Sequence, residues 1–397
     1  MEIRPKIRPY ALLPAKQAGK PACLVHDPWG FSRQMVACPL PLLSLLPLCD
    51  GQHTPEEMHA DLCQILGRSL PMSVTTRALE QLDAAGLLEN AATRLVLQAA
   101  QATYRQHGVR QIRPNPGYPT DPAVLSAEFA AYSPLGADAA PSRPWRGLIS
   151  PHIDYARGGP VYAGVWRATQ AQAQAADLVI IFGTDHYGPA GRLTLTQLPY
   201  ATPFGALPTE PALVDSLAQV LGPEAFALEL SHQFEHAVEL SANWLRYVRG
   251  ETPVAMLPIL CGPFEPLVAR GIHPSAEIRH EQFIAGLRQL TARRRALAVA
   301  SVDLSHVGPA FFTPAWPAAP LTEYDAGVRE AILSGSAEKF YARLAETGNY
   351  THICGFAPIY WLLRFLSDAA GVELAYQHCP AGADGQSTVS ISGILLV

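Results

Sequence analysis

Three apolar runs in this chain end in the same way. Leu148-Ile149-Ser150 leads into Pro151-His152-Ile153-Asp154-Tyr155. Ile180-Ile181-Phe182 leads into Gly183-Thr184-Asp185-His186-Tyr187, and Ala298-Val299-Ala300 into Ser301-Val302-Asp303-Leu304-Ser305-His306. Short apolar runs bounded by turn residues read as buried strands, so each delivers an Asp and a His just beyond a strand's carboxyl end. In open α/β sheets ligands bind at that edge. A fourth segment, Thr351-His352-Ile353-Cys354-Gly355-Phe356-Ala357-Pro358, places Cys354 just ahead of a helix whose first turn suits Pro358. The dipole at a helix amino end favours thiolate. A thiolate beside neutral imidazoles is a ligand set for a first-row transition metal.

The fifth element is Ser231-His232-Gln233-Phe234-Glu235-His236-Ala237-Val238-Glu239. Helical spacing sets His232, Glu235, His236 and Glu239 on neighbouring positions of one face. Two readings stand side by side. His236 serves as an acid/base aimed at the site, or His232 and His236, an i,i+4 pair, bind a metal by themselves. There is no HExxH, GxGxxG, Walker A loop or GxSxG elbow, which argues against metalloprotease, dinucleotide, nucleotide and serine-hydrolase chemistry. Arg293-Arg294-Arg295 reads as a solvated helix end near the negative pole of its dipole.

The elements that must position these residues follow from the pattern after Trp145. Strand-length runs at Gly147–Ser150, Leu178–Phe182, Val254–Leu260, Leu297–Ser301 and Val389–Val397 alternate with helical stretches. Those helices are expected at Tyr162–Gln174, Pro211–Leu221, His236–Val248, Ala276–Arg294, Glu323–Leu333, Ala337–Thr347 and Pro358–Ala370. Such alternation predicts an α/β fold, an α-β-α sandwich around a mixed central sheet. Residues 96–145 read as a connection with a loop at Arg113–Pro119, a short helix at Asp121–Tyr132 and a surface loop at Ser133–Pro144.

Residues 1–95 read as a separate small domain, mostly helical, and residues 96–397 as the metal-binding domain with its core from about residue 110. Thr54 is an expected N-cap with Pro55 at the first helical position. A second helix follows Pro71 and closes at Gly86. Of 397 residues 49% are hydrophobic and 16% charged, enough apolar surface for a large core, and the net charge of −5 argues against a nucleic-acid binder. Seven cysteines without a CxxC exclude a disulfide scaffold and a zinc ribbon. No apolar run reaches the roughly 18 residues of a membrane span. The opening Met1-Glu2-Ile3-Arg4-Pro5 lacks a signal-peptide stretch. A cytoplasmic chain with no membrane partner is expected.

The segment with Asp50-Gly51, Thr54-Pro55-Glu56-Glu57 and Ala85-Gly86-Leu87-Leu88 resembles PqqD-like modules, winged-helix-type domains that bind peptides or partners. From about residue 110 the chain resembles the MEMO family, the protein B component of the AmmeMemoRadiSam set. The matching stretches are Tyr118–Pro122, Pro151-His152, Gly158–Gly164, Gly183–His186, Ala201–Gly205, Glu235–Glu239, Pro258–Gly262, Ser301–His306 and Ile353–Pro358.

That resemblance implies a fold shared with class III extradiol dioxygenases. It also implies His152, His186 and Cys354 as metal ligands, with His236, Asp303 and His306 lining the same pocket as catalytic groups. Asp154 and Asp185 depart from the family pattern and are expected as outer partners of the imidazoles, or else as support for a second metal. Tyr155, Glu235 and Glu239 join them as supporting or substrate-binding residues. The implied function is a metal-dependent redox or oxygenase-like protein with one transition-metal ion, iron favoured over copper or zinc. His236 or His306 would act as general acid/base, with Asp303 orienting His306 or the substrate. Two alternatives stay open. One is a non-catalytic protein holding a metal or peptide and docking a radical-SAM protein, and the other is a zinc hydrolase using the same cleft.

Overall fold

Strands whose every position is apolar must be covered on both faces, and the central strands of this protein are. The computed structural model describes residues 3–135, 145–367, 369–382 and 385–397. Most of the expected loop at Ser133–Pro144 therefore lies outside the described residues. Contacts divide the chain into two units, Met1–Thr103 and Tyr104–Val397.

The first unit holds β1 (Ala11–Gln17), β2 (Lys20–His26), β3 (Met35–Pro39), α1 (Pro55–Leu66), α2 (Met72–Ala84) and most of α3 (Ala91–Gln106). The three strands form an antiparallel sheet in the order β1-β2-β3, and the helices hold more of this unit than the strands do. Thr54 caps α1 in a full capping box: its side chain accepts from the Glu57 amide, and Glu57 accepts from the Thr54 amide. Gly86, at φ +68°, ends α2, with Leu87 N–H reaching back to the Leu82 carbonyl.

The second unit runs α4 (Pro122–Ala131), β4 (Gly147–Ser150), α5 (Tyr155–Ala168), α6 (Gln170–Ala175), β5 (Leu178–Thr184), β6 (Leu193–Leu195) and α7 (Pro211–Leu221). It continues with α8 (Ser231–Phe234), α9 (Ala237–Arg249), β7 (Ala255–Cys261), α10 (Glu265–Val268), α11 (Ile278–Thr291), β8 (Ala296–Ser301) and β9 (His306–Val307). It ends with α12 (Ala318–Leu333), α13 (Ala337–Ala345), α14 (Phe356–Leu366), β10 (Gly371–Ala381) and β11 (Ser387–Leu396).

The sheet order is β10-β11-β4-β8-β5-β7-β6, with β9 paired to β11. Strands β4, β8, β5 and β7 are parallel, and β6, β10 and β11 pair antiparallel at the flanks, so the sheet is mixed. Successive residues point to opposite faces. Ile180, Phe182, Ala298 and Ala300 pack with α7, α11 and α14, while Val179, Ile181, Leu297 and Val299 pack with α5 and α9. Helices thus cover both faces of the sheet.

The edge strands β6, β9 and β10 were not expected from the sequence. The helix expected at Tyr162–Gln174 begins earlier, at Tyr155, and breaks at Thr169. Gly158-Gly159-Pro160 reads as a helix breaker by local propensity. Packing overrides it: the chain at Leu135 crosses so closely that a Cβ on Gly164 would sit 2.2 Å from the Leu135 carbonyl oxygen, and Leu135 N–H donates to the Pro160 carbonyl. Among the described residues no helix is long and apolar enough to cross a membrane.

Candidate metal centre

Parallel register puts the three strand ends level. Ser150 pairs with Ser301, Gly183 with Ser301, and Thr184 with Cys261. Residues just past those positions, His152, Asp303 and His186, therefore share one edge of the sheet. Cys354 reaches the same edge from the loop before α14. A Cβ on Gly355 would lie 2.8 Å from Val302 Cβ and 2.9 Å from the Asp303 carbonyl oxygen, so glycine permits this close approach. The Cys354 carbonyl accepts from Thr184 Oγ1, which ties the loop to β5.

His152, His186 and Cys354 each bring one ligand atom within 4.8 Å of the other two. Cys354 Sγ lies 3.2 Å from His152 Nε2, near the roughly 3.5 Å expected of a sulfur and a nitrogen sharing a tetrahedral ion. The outer hydrogen bonds set the tautomers. His152 Nδ1–H donates to the Ser301 carbonyl at 3.0 Å, which leaves Nε2 as a lone pair on the sulfur side. His186 Nδ1–H donates to Glu235 Oε2 at 3.0 Å. A carboxylate behind a ligating imidazole fixes its orientation and raises its basicity.

Glu235 is the hub of the site. Its Oε2 also accepts the His186 amide, and its Oε1 lies 2.9 Å from His236 Nδ1 and accepts the amides of His236 and Ala237 at the amino end of α9. Burial opposes ionisation there, but His186 and His236 hold the carboxyl well below the usual range. The His186 and His236 rings stack at 4.8 Å, and both lie 5.0 Å from the His152 ring. His186, Glu235 and His236 form a second group with ligand atoms within 4.8 Å. The side chains of His186 and His236 are 26% and 33% exposed and that of His152 only 2%, so the first two face the mouth.

Burial, then the neighbouring His236 and His186, pushes His152 well below its ordinary pKa, so it is neutral and ready to ligate. Burial pushes His186 down too, but the Glu235 carboxylate and then Cys354 carry it well above. The thiolate expected at Cys354 from the helix dipole is not the resting form, because burial raises this thiol. A cation must displace that proton.

Asp303 Oδ1 accepts the amides of His152 and Ile153, and its Oδ2 lies 3.8 Å from His152 Nε2. Burial lifts its pKa to about 7. His306 sits beside Phe311 and donates Nδ1–H to the Leu304 carbonyl, and burial lowers it to about 4. It is also hydrogen-bonded to the backbone at His352, so its ring is neutral and held by two backbone segments.

Several expected residues are not brought together. His232 is buried between Tyr200 OH and the Thr194 carbonyl, so it does not pair with His236 on a metal. The helix assumed to hold both is broken at Glu235, whose extended backbone (ψ 135°) ends α8 before α9 starts. Asp154 caps α5 and pairs with Arg157, and Asp185 accepts the Tyr187 amide within its own loop. Neither touches an imidazole; Glu235 takes that role. Tyr155 is core, its OH donating to the Leu240 carbonyl and its ring edge-on to Phe129. Glu239 is wholly buried against Arg110 and accepts the Arg113 amide. Arg110 and Arg113 were missed by sequence reasoning. Their only signal was two basic residues ahead of the Pro-rich loop.

The family model described as Memo-like protein matches residues 116–394. A MEMO1 family protein of Aquifex aeolicus is 25% identical over 313 residues, covering 79% of this chain and 78% of that protein. A MEMO1 family protein of Thermus thermophilus is 30% identical over 265 residues, covering 64% of this chain and 71% of that protein. An uncharacterized Escherichia coli protein of solved structure is 14% identical with a TM-score of 0.40, covering 64% of this chain and all of that one, a likeness too partial to bear on the fold.

Proposed function

The chain belongs to the Memo-like protein family, and from that premise we propose that it holds one transition-metal ion, iron by preference, on His152, His186 and Cys354. We propose further that it uses the ion in redox chemistry on a small organic molecule at the same sheet edge. The observation that carries this reading is the pair of outer hydrogen bonds, His152 to Ser301 and His186 to Glu235, which turn both Nε2 atoms toward the Cys354 sulfur.

A bound first-row ion would supply electron exchange and open coordination positions. The chain's own groups do the rest. His236 accepts a substrate proton at Nε2, and Glu235 stabilises the imidazolium through Nδ1–H. Asp303, with its raised pKa, holds or returns a proton beside His152. His306, neutral and hydrogen-bonded to the backbone at Leu304 and His352, shapes the same edge.

The test is anaerobic purification with elemental analysis and an electron-paramagnetic-resonance spectrum. Stoichiometric iron with sulfur ligation is expected. Zinc occupancy with oxygen-independent ester or amide cleavage would replace this reading by a hydrolase. Exchanging Glu235 for glutamine removes the charge behind both imidazoles but keeps the shape. Iron(II) affinity should fall about 10- to 100-fold, read by chelator competition, and an unchanged affinity would refute the outer-partner role.

For the first unit we propose docking of an extended peptide or of a radical-SAM partner. The edge of β3 away from β2 is unpaired among the described strands, and an apolar groove beside it is lined by Val36, Cys38, Leu42, Leu46, Ala78 and Leu82. An open strand edge beside apolar pockets suits an added strand. Ala78→Glu should abolish co-purification of such a partner without altering metal content; persistence of the complex would count against this surface.

A further inference from the structure

One buried carboxylate close to the site faces two guanidinium groups. Glu239, on α9 one turn after His236, is the ion-pair partner of both Arg110 and Arg113. Arg110 is wholly buried and also donates to the carbonyls of His232 and Glu235. It takes up the Glu239 charge, because burial leaves it no other counter-ion and an unpaired buried cation is costly. Arg113 meets the same carboxylate less closely, with Nε 3.4 Å from Oε1 and neither atom hydrogen-bonded.

The remaining groups do not neutralise Arg113. Its Nη2 donates to the Pro116 carbonyl, its Nη1 has no partner among the described residues, and its side chain is 22% exposed. The nearby buried carboxylate, Glu235, is taken by His186 and His236. The contrast with Arg157, on the far side of the edge, is informative. That guanidinium is held by Asp154 through two nitrogens and by the Pro380 carbonyl. Arg113 is thus a surplus, semi-exposed cation beside the first turn of α9, the helix that His236 caps. Its field reaches both His236 and Tyr187.

Resting on the reading of the site given above, we infer that its substrate carries an anionic group, a carboxylate or a phosphate, and that Arg113 receives it through Nη1. A guanidinium with unused N–H groups in a half-buried position is suited to charge-assisted hydrogen bonding of such an anion. The reacting end of the molecule then lies between His236 and the Cys354 sulfur. This assigns Arg113 a binding role and no part in proton transfer.

The experiment is equilibrium dialysis of the full chain, metal-free and Co(II)-loaded, against benzoate, phenyl phosphate and neutral benzyl alcohol. Each anion should bind about tenfold or more tightly than the alcohol, and the ratio of the two anions identifies the preferred group. Arg113→Gln should bring both anions down to the level of the alcohol and leave the alcohol unchanged. Arg113→Lys, which keeps the charge, should restore part of the preference and guards against a glutamine variant that fails to fold. A wild-type protein without anion preference, a preference intact in Arg113→Gln, or no anion binding by about 10 mM would each overturn the inference. Metal content is measured separately. An Arg113-dependent preference in a protein that takes up no metal would sink the metal reading alone, and Co(II) uptake without the preference would sink this inference alone.

Discussion

Replacing Cys354 with serine is expected to leave the protein without stoichiometric iron at concentrations that saturate the wild type, and His152→Ala should do the same. A structural site with four ligands binds its ion with about 10–16 kcal/mol, or about 2.5–4 kcal/mol per ligand. Losing one of three ligands should therefore weaken binding about a hundred- to a thousandfold. The two variants fail for different reasons. Serine keeps the volume of Cys354 but removes the soft donor, whereas alanine at 152 removes a nitrogen donor and strands the Ser301 carbonyl. Cys261→Ser is the matched control, since Cys261 is a fully buried thiol at the end of β7 outside the ligand group.

The pH dependence of binding has a definite sign. In the metal-free protein His186 is held protonated by Glu235 and Cys354 is kept as a thiol by burial. Both protons leave when an ion binds, so affinity should rise with pH, by up to about a hundredfold per unit while both groups are protonated. Full metal occupancy in both Cys354→Ser and His152→Ala, measured by elemental analysis, would sink the ligand assignment.

The second large effect is on stability. Arg110→Ala should destabilise the protein by about 3–5 kcal/mol, because it leaves the buried Glu239 charge short of its main partner. It also orphans the carbonyls of His232, in α8, and of Glu235, in the break between α8 and α9. Arg113 remains near Glu239 and places the effect toward the lower end of that range. The double variant Arg110→Ala with Glu239→Ala should lose less than the sum of the single losses, since the second change removes the stranded charge. Denaturant unfolding measures both. A loss below about 1 kcal/mol for Arg110→Ala would mean that the pair is not what holds this segment. Because Glu235 sits in the same segment, the His186 and His236 rings should loosen as well, and metal affinity should drop together with stability.

Much of the site is legible in the sequence because it is local to strand ends. A histidine two residues past a buried strand is carried to the sheet edge by that strand alone, so His152, His186 and Asp303 could be placed together once parallel pairing was assumed. Cys354 could be added because Pro358 marks the helix behind it. Contacts with charged neighbours were another matter. Asp154 and Asp185 look like partners for the imidazoles by adjacency, yet one caps a helix and the other closes its own turn. His232 looks like a ligand by spacing, yet it is buried against Tyr200.

By itself, then, the amino-acid order determined the alternation of strands and helices, the edge at which the histidines gather and the family to which those stretches are similar. Periodicity and turn chemistry act over a few residues and are written into the chain. The tertiary structure alone decided that Glu235 stands behind both His186 and His236, that Arg110 and Arg113 share Glu239, and that burial keeps the Cys354 thiol protonated. Each of those outcomes depends on groups about 50 to 200 residues apart being desolvated together, and the free energy of a charge out of water is set by what surrounds it in space.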